Sequence, residues 1–197
     1  GREAAVSCGP PPCFLFRPEI TVELRRLAEH FERLDEMSSR NAMIEQLAAL
    51  FKESSNPDEI RKIVYLSEGI LLPPYEATEF GISEQLMARA IAEATGRDVD
   101  DVKALYRDVG DYGSVAEGLI DWESRGLTVS EAYDALLDIA RVSGKGSIEG
   151  KVSGLAELIR RLGPLEARYL LRVPIGKLRL GIGKLGFSLR QLRLRVG

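Results

Sequence analysis

The chain is poor in the side chains that most often carry metal or redox chemistry. Its 197 residues include two cysteines, one histidine and one tryptophan. Cys8 and Cys13 share the opening segment, and His30 lies well away from them on a predicted helix, so a metal site there lacks ligands. So few cysteines fit a reducing compartment. No apolar run approaches the length of a membrane span, which predicts a soluble chain. Cys8 to Phe16 holds three successive prolines and no apolar core flanked by a cleavage site, which makes a poor signal peptide. Strand-type alternation is missing, and no fixed repeat period marks a solenoid.

What remains is helical period from Ile20 onward. Leu24, Leu27, Phe31 and Leu34 form the buried stripe of a first helix. Ser38 to Asn41 can cap a second, with stripe Ile44, Leu47, Ala48 and Phe51. Asn56-Pro57-Asp58-Glu59 is a helix start: an N-cap, proline at the first helical position, then acids at the positive dipole end. Ile60, Ile63, Val64 and Leu66 follow, with Gly69 near the end. Pro73-Pro74-Tyr75 forces an extended connection. Ser83 starts an alanine-rich helix that stops at Gly96. Val102, Leu105, Tyr106 and Val109 mark another, closed by Gly110-Asp111-Tyr112-Gly113, and a helix from Ser114 to Ser124 ends at Gly126. Thr128 and Glu131 make a capping box for a helix through Leu136 and Ala140 to about Ser143. After the loop Gly144-Lys145-Gly146-Ser147, the residues Val152, Leu155, Ala156 and Ile159 face the core, and Gly163-Pro164 restarts the chain. The expected architecture is one all-α domain of roughly eight to ten helices.

Charge is unevenly spread. From Arg141 to Gly197 there are 13 Lys/Arg against 3 Asp/Glu, whereas residues 1–140 carry 14 against 27. The carboxyl-terminal third therefore seeks a polyanion, while the formal net charge of −3 conceals this. Within that third, Gly176, Gly181 and Gly183 bracket Lys177 and Arg179. Bare backbone beside cations suits a sugar-phosphate chain, because glycine permits close approach and the cations neutralise phosphates or enter a narrow groove.

Several segments together resemble one family. They are Leu127-Thr128-Val129, Ile139 to Ser147, Glu166 to Arg172 and Gly176 to Gly181, with Leu27 to Leu34, Phe80 to Glu84 and Asp108 to Gly113 upstream in the same order. This ordered set is similar to the amino-terminal DNA-binding domain of ATP-dependent DNA ligases of archaeal and eukaryotic type, the archaeal form being nearer. The resemblance covers about Val22 to Gly183. It implies an all-helical domain that packs across the minor groove of nicked duplex DNA without sequence preference. Its further partners would be a nucleotidyltransferase domain, an OB-fold domain and a sliding clamp. The complete enzymes use ATP and magnesium and act in replication, repair and recombination, through a lysine in a Lys-x-Asp-Gly motif. This chain contains no such motif, so alone it is expected to be an inactive monomeric fragment with no cofactor of its own. The expected location is cytoplasmic with a prokaryotic chromosome, or nuclear in a eukaryote.

The chain departs from the family in two places. Pro174 stands where the family continues a helix, and a proline there should stop or kink it. Residues 184–197 form an atypical basic tail and residues 1–19 a poorly ordered extension, as a frameshift or foreign terminus would produce. The helical DNA-binding domain is thus expected over residues 20–183.

For DNA contact, Arg179 is the first choice for the minor groove and Lys177 for a phosphate, with Gly176, Gly181 and Gly183 supplying amides and room. As an alternative, both cations cap helix-end carbonyls and the glycines form turns. Lys145, Gly146, Ser147 and Lys151 surround a helix start, where amides and cations attract anions; Ser147 also reads as a plain N-cap. Arg168 and Arg172 share one helix face and read equally as a solvated face. Arg40 rests mainly on the family pattern. Arg160 and Arg161 read as helix-dipole partners, Trp122 as a packing residue, and the acids of Arg97 to Asp101 and of the early helices as solvated faces turned away from DNA. The competing function is a helical protein-interaction scaffold with no DNA role.

Overall fold

A computed structural model describes residues 21–72, 81–178 and 180. The expected terminal segments, the Pro73-Pro74-Tyr75 connection, Arg179, Gly181 and Gly183 lie outside the described residues. Among the described residues the elements are all helical: α1 (Leu24–Glu36), α2 (Arg40–Phe51), α3 (Pro57–Glu68), α4 (Glu84–Thr95), α5 (Val99–Val109), α6 (Tyr112–Leu119), α7 (Val129–Arg141), α8 (Ser147–Ile159) and α9 (Pro164–Leu170).

The helix boundaries follow from capping chemistry. Asn56 accepts from the Asp58 amide, Ser83 from Leu86, and Thr128 and Glu131 satisfy each other's amides as the capping box requires. Gly69 ends α3 at φ +73°, and the bonds Gly69 N–H to Leu66 O and Ile70 N–H to Tyr65 O complete a Schellman motif. After α9 the chain makes further turns to Gly176, which has φ +63°. The Gly176 and Lys177 amides donate to Val173 and Arg172 carbonyls in the same Schellman pattern. Pro174 has no amide to extend the helix, and α9 stops at Leu170.

α1 packs on α2, α7 and α9; α3 packs on α7; α4 packs on α5, α6 and α8. Contacts of α7 with α8 and of α6 with α9 join these groups around one continuous apolar core. Leu24, Leu27, Phe31 and Leu34 are buried as the period predicts, and so are Val152, Leu155, Ala156 and Ile159. Arg89 in mid-α4 meets Glu149 in the first turn of α8, and Arg160 just past α8 reaches Glu93 near the end of α4. These two helices therefore run in the same direction, with their positive dipole ends on one side.

Buried polar groups tie distant segments into this core. Glu59 accepts from the Val22 amide and from Ser54 Oγ. Glu166 accepts from the Gly163 amide at 2.7 Å and from Ser124 Oγ at 2.8 Å. Buried His30 stands 2.7 Å from the Gln46 side-chain amide and 2.8 Å from Glu53, so Nδ1 accepts and Nε2 donates.

Four local expectations are corrected. In α2 the buried stripe is Met43, Leu47, Leu50 and Phe51, with Ile44 and Ala48 only half-buried. That helix is apolar around much of its girth, so the period alone leaves two adjacent faces equivalent. In α5 only Val102 is buried, while Leu105 and Val109 stay 39% and 53% exposed, because α5 packs mainly on α4 and α6. The helix placed at Ser114 to Ser124 spans Tyr112–Leu119 instead. Asp111 is its N-cap, accepting from the Gly113 and Ser114 amides, and Ile120 to Leu127 are irregular. Finally, Gly146 at φ +84°, not Ser147, is the N-cap of α8; Ser147 is its first helical residue.

Candidate nucleic-acid interface

The segment 173–178 lies across the end of α3 and the approach to α4. A Cβ built on Gly69 would sit 3.4 Å from Leu178 Cβ. Next door, Lys177 Nζ lies 2.5 Å from Glu84 Oε1, in the first turn of α4, and 2.5 Å from Tyr106 Oη. Tyr106 in turn donates to Glu84 at 2.8 Å and stacks on Tyr112 with ring centres 3.9 Å apart. The Glu84 carboxylate, then Tyr106, hold the Lys177 ammonium above its ordinary range, and Lys177 and Tyr106 hold Glu84 below the usual carboxylate range.

Lys151 reaches the same loop from α8. A Cβ on Gly81 would lie 3.0 Å from Lys151 Nζ, so the ammonium is packed against a bare stretch of backbone that adopts φ +57°. Lys145 stands exposed between Gly144 and Gly146, both left-handed, on the turn into α8. Lys151 and Lys177, 26 positions apart in the chain, therefore converge on the loop 81–84, with Lys145 two turns before Lys151.

Arg172 shares an open cleft of about 340 Å³ with Lys177, Asp35, Gly110 and Asp111. Its guanidinium is held from three sides. Nε and Nη2 both donate to Asp111 Oδ2, at 2.9 and 2.7 Å, and Nη1 lies 3.5 Å from Asp35 Oδ2. The side chain is 13% exposed and lies over the Tyr169 ring. Arg168 pairs with Glu117 and Asp35 at 3.5 and 4.0 Å and lies over the same ring. Neither arginine is on a solvated face: both fasten α9 to α1 and α6. Burial alone would raise the Asp111 carboxyl, but the Arg172 and Ser114 hydrogen bonds outweigh it and hold the group below its ordinary range.

Arg40 is the exposed first residue of α2, just beyond the Asp35 end of α1. Arg160 donates to the Glu93 carbonyl at 2.8 Å, so its dipole partner is the end of α4, not of its own helix. Trp122 is half-buried and donates to the Leu162 carbonyl at 3.0 Å, the packing role expected of it. The acids are not all turned away from the candidate cations. Asp35, Glu84, Asp111 and Glu117 lie against them, because one helical repeat separates buried from solvated faces but does not say which acids meet a neighbouring helix.

One residue of this surface is absent from the sequence reading. Ile148, in the first turn of α8 between Lys145 and Lys151, is 54% exposed. By period it continues the apolar stripe, four, seven and eleven residues before Val152, Leu155 and Ile159, so the sequence pattern alone reads it as buried and gives no signal of its exposure.

Residues 23–186 match the family described as DNA ligase N terminus. The chain is 46% identical over 169 residues to "DNA ligase 2" of Thermofilum pendens, covering 79% of this chain and 28% of that protein. It is 44% identical over 158 residues to a "Probable DNA ligase" of Dictyoglomus turgidum, covering 80% and 27%. Against a "DNA ligase" of Pyrobaculum islandicum it is 37% identical over 171 residues, covering 82% and 29%. The chain thus spans less than a third of the length of these relatives.

Proposed function

The chain belongs to the family of DNA ligase N-terminal domains, and on that footing we propose that it grips nicked double-stranded DNA as the DNA-binding part of a longer ATP-dependent ligase. The observation that carries this reading is the convergence of Lys151 and Lys177 on the loop 81–84. Two ammonium groups, the amide-rich starts of α4 and α8, and bare glycine backbone face a partner together. Each element of that set favours a phosphate oxygen.

In this reading Lys145, Lys151 and Lys177 contact phosphates beside Gly146 and Ser147 at the start of α8, where the Ser147 amide itself donates to the Gly144 carbonyl at 3.2 Å. Arg179 enters the minor groove, and Gly176 and Gly181 let backbone approach the sugars. Ile148 adds an exposed apolar side chain to this face, of the type that minor-groove binders insert as a wedge. Arg168 and Arg172 act indirectly, fixing α9 so that segment 173–178 is presented; Arg40 adds a peripheral phosphate contact. Phosphate and sugar contacts carry little base information, so binding is indifferent to sequence.

The chain has no Lys-x-Asp-Gly sequence, and its described residues gather no cluster of His, Cys, Asp or Glu able to hold a metal ion. In this reading the nucleotidyltransferase and OB-fold parts of a longer protein would supply the ATP and magnesium chemistry. Such a protein would act at nicks left by replication, repair and recombination, with a sliding clamp as a further partner. No described helix is long and apolar enough to cross a membrane.

An electrophoretic shift with nicked duplex, set against an acidic peptide of equal charge, tests the reading. Retention of the duplex at peptide concentrations that fail to compete supports it. Equal competition by the peptide would favour a protein-binding surface instead.

A further inference from the structure

Lys177, the cation best placed for a phosphate, is already occupied. Glu84 Oε1 lies 2.5 Å from its Nζ, and Tyr106 Oη touches both groups. An anion is thus seated where a DNA phosphate would sit, and it comes from the protein. The pair is half open to solvent, with Lys177 30% and Glu84 50% exposed. An exposed ion pair of this kind is weak enough to be exchanged. Lys151 lies against Gly81, three residues earlier in the same loop. A phosphate arriving here therefore meets the Glu84 carboxylate as well as the two lysines.

We propose that the Glu84 carboxylate is a built-in competitor for the DNA phosphate at Lys177, so that duplex binding exchanges one anion for another and Glu84 sets the affinity of the surface. This inference rests on the DNA-binding reading of Lys177. It follows from electrostatics: the ion pair must open before Lys177 can turn to a phosphate, and the released carboxylate then repels the same phosphate. Both effects weaken binding at this position. No bond is made or broken and no proton need move, because Lys177 stays charged with either partner. Tyr106 stays beside Lys177 through the exchange, so the ammonium keeps one neutral partner.

The test uses the whole chain and a nicked duplex, with dissociation constants measured over a range of salt for wild type, Glu84→Gln, Glu84→Ala, Lys177→Ala and the double variant Glu84→Gln/Lys177→Ala. The expected result is that each Glu84 variant binds about fivefold tighter, the ratio equivalent to about 1 kcal/mol of exposed ion pairing. Lys177→Ala should bind weaker, and Glu84→Gln should give no gain in the Lys177→Ala background. Weaker binding by both Glu84 variants would overturn the inference, since Glu84 would then be positioning Lys177 for DNA. An equal gain with and without Lys177 would overturn it too, since Glu84 would then act as a general negative charge. In both those outcomes Lys177→Ala still weakens binding and the DNA reading stands. If Lys177→Ala leaves binding unchanged, the reading itself fails at this residue and the inference falls with it. Thermal melting of each variant separates these outcomes from loss of fold.

Discussion

Arg172 Nη2 lies 2.7 Å from Asp111 Oδ2, and the same carboxylate caps α6 through the amides of Gly113 and Ser114. One side chain thus starts one helix and anchors the turn after another. Replacing Asp111 by Asn keeps a cap acceptor but removes the charge, leaving a largely buried guanidinium with Asp35 as its remaining acid. The expected loss at neutral pH is about 3 kcal/mol, read by denaturant unfolding. Because the Asp111 pKa is held below its ordinary 3.8, its stabilisation is present above that value and disappears as pH falls through the depressed one. The acid arm of the stability curve should therefore be shallower in Asp111→Asn than in wild type, and curves that stay parallel below about pH 4 would contradict this.

Gly113 is the point of closest approach between α6 and α9. A Cβ there would lie 2.1 Å from the Arg168 carbonyl oxygen, which is backbone and cannot swing aside. Gly113→Ala should cost about 3 kcal/mol or more and lower the melting temperature by about 10 °C. By contrast, Gly118→Ala on the same helix meets nothing within 4 Å and should melt within a few degrees of wild type.

These two positions show where the sequence was legible. Capping rules placed α3, α4 and α7 because Asn56, Ser83 and Thr128 act on amides two or three residues away. Period placed the stripe of α1 because one face there is apolar and the other is not. Asp111 was hidden because Gly110 and Gly113 around it read as a loop, while the need for Gly113 to be bare arises only when α9 arrives. The site divides in the same way. The glycines and lysines around 145–151 and 172–177 stood out by composition, but ion pairs across 61 and 93 residues did not. Nothing local links Arg172 to Asp111 or Lys177 to Glu84.

Tyr169 is buried between Phe31 and the two arginines, and its hydroxyl has no protein partner among the described residues. Burial pushes the phenol up to about 12, against the lowering pull of Arg168 beside it. Tyr169→Phe should therefore leave stability within about 1 kcal/mol of wild type, on the stabilising side, because an unsatisfied polar atom is removed and the ring contacts are kept. A loss of about 2 kcal/mol or more in calorimetry would show that the hydroxyl has a partner, such as a bound water.

The proposed Ile148 contact is one that salt does not govern. Ile148→Asp should weaken binding to nicked duplex several-fold with little change in melting temperature, since the side chain is exposed. Ile148→Leu should bind as wild type does. Fluorescence anisotropy at fixed salt distinguishes them, and equal affinities for Ile148→Asp and wild type would remove Ile148 from the interface.

The convergent lysines are tested most directly by the salt dependence of affinity for a nicked duplex. The logarithm of the binding constant should fall linearly with the logarithm of salt concentration, with a slope of about −0.9 per phosphate neutralised. Replacing Lys145, Lys151 and Lys177 together by alanine should reduce that slope by about three, in a protein that still melts cooperatively. A slope unchanged by the triple substitution would contradict a phosphate-binding surface at the loop 81–84.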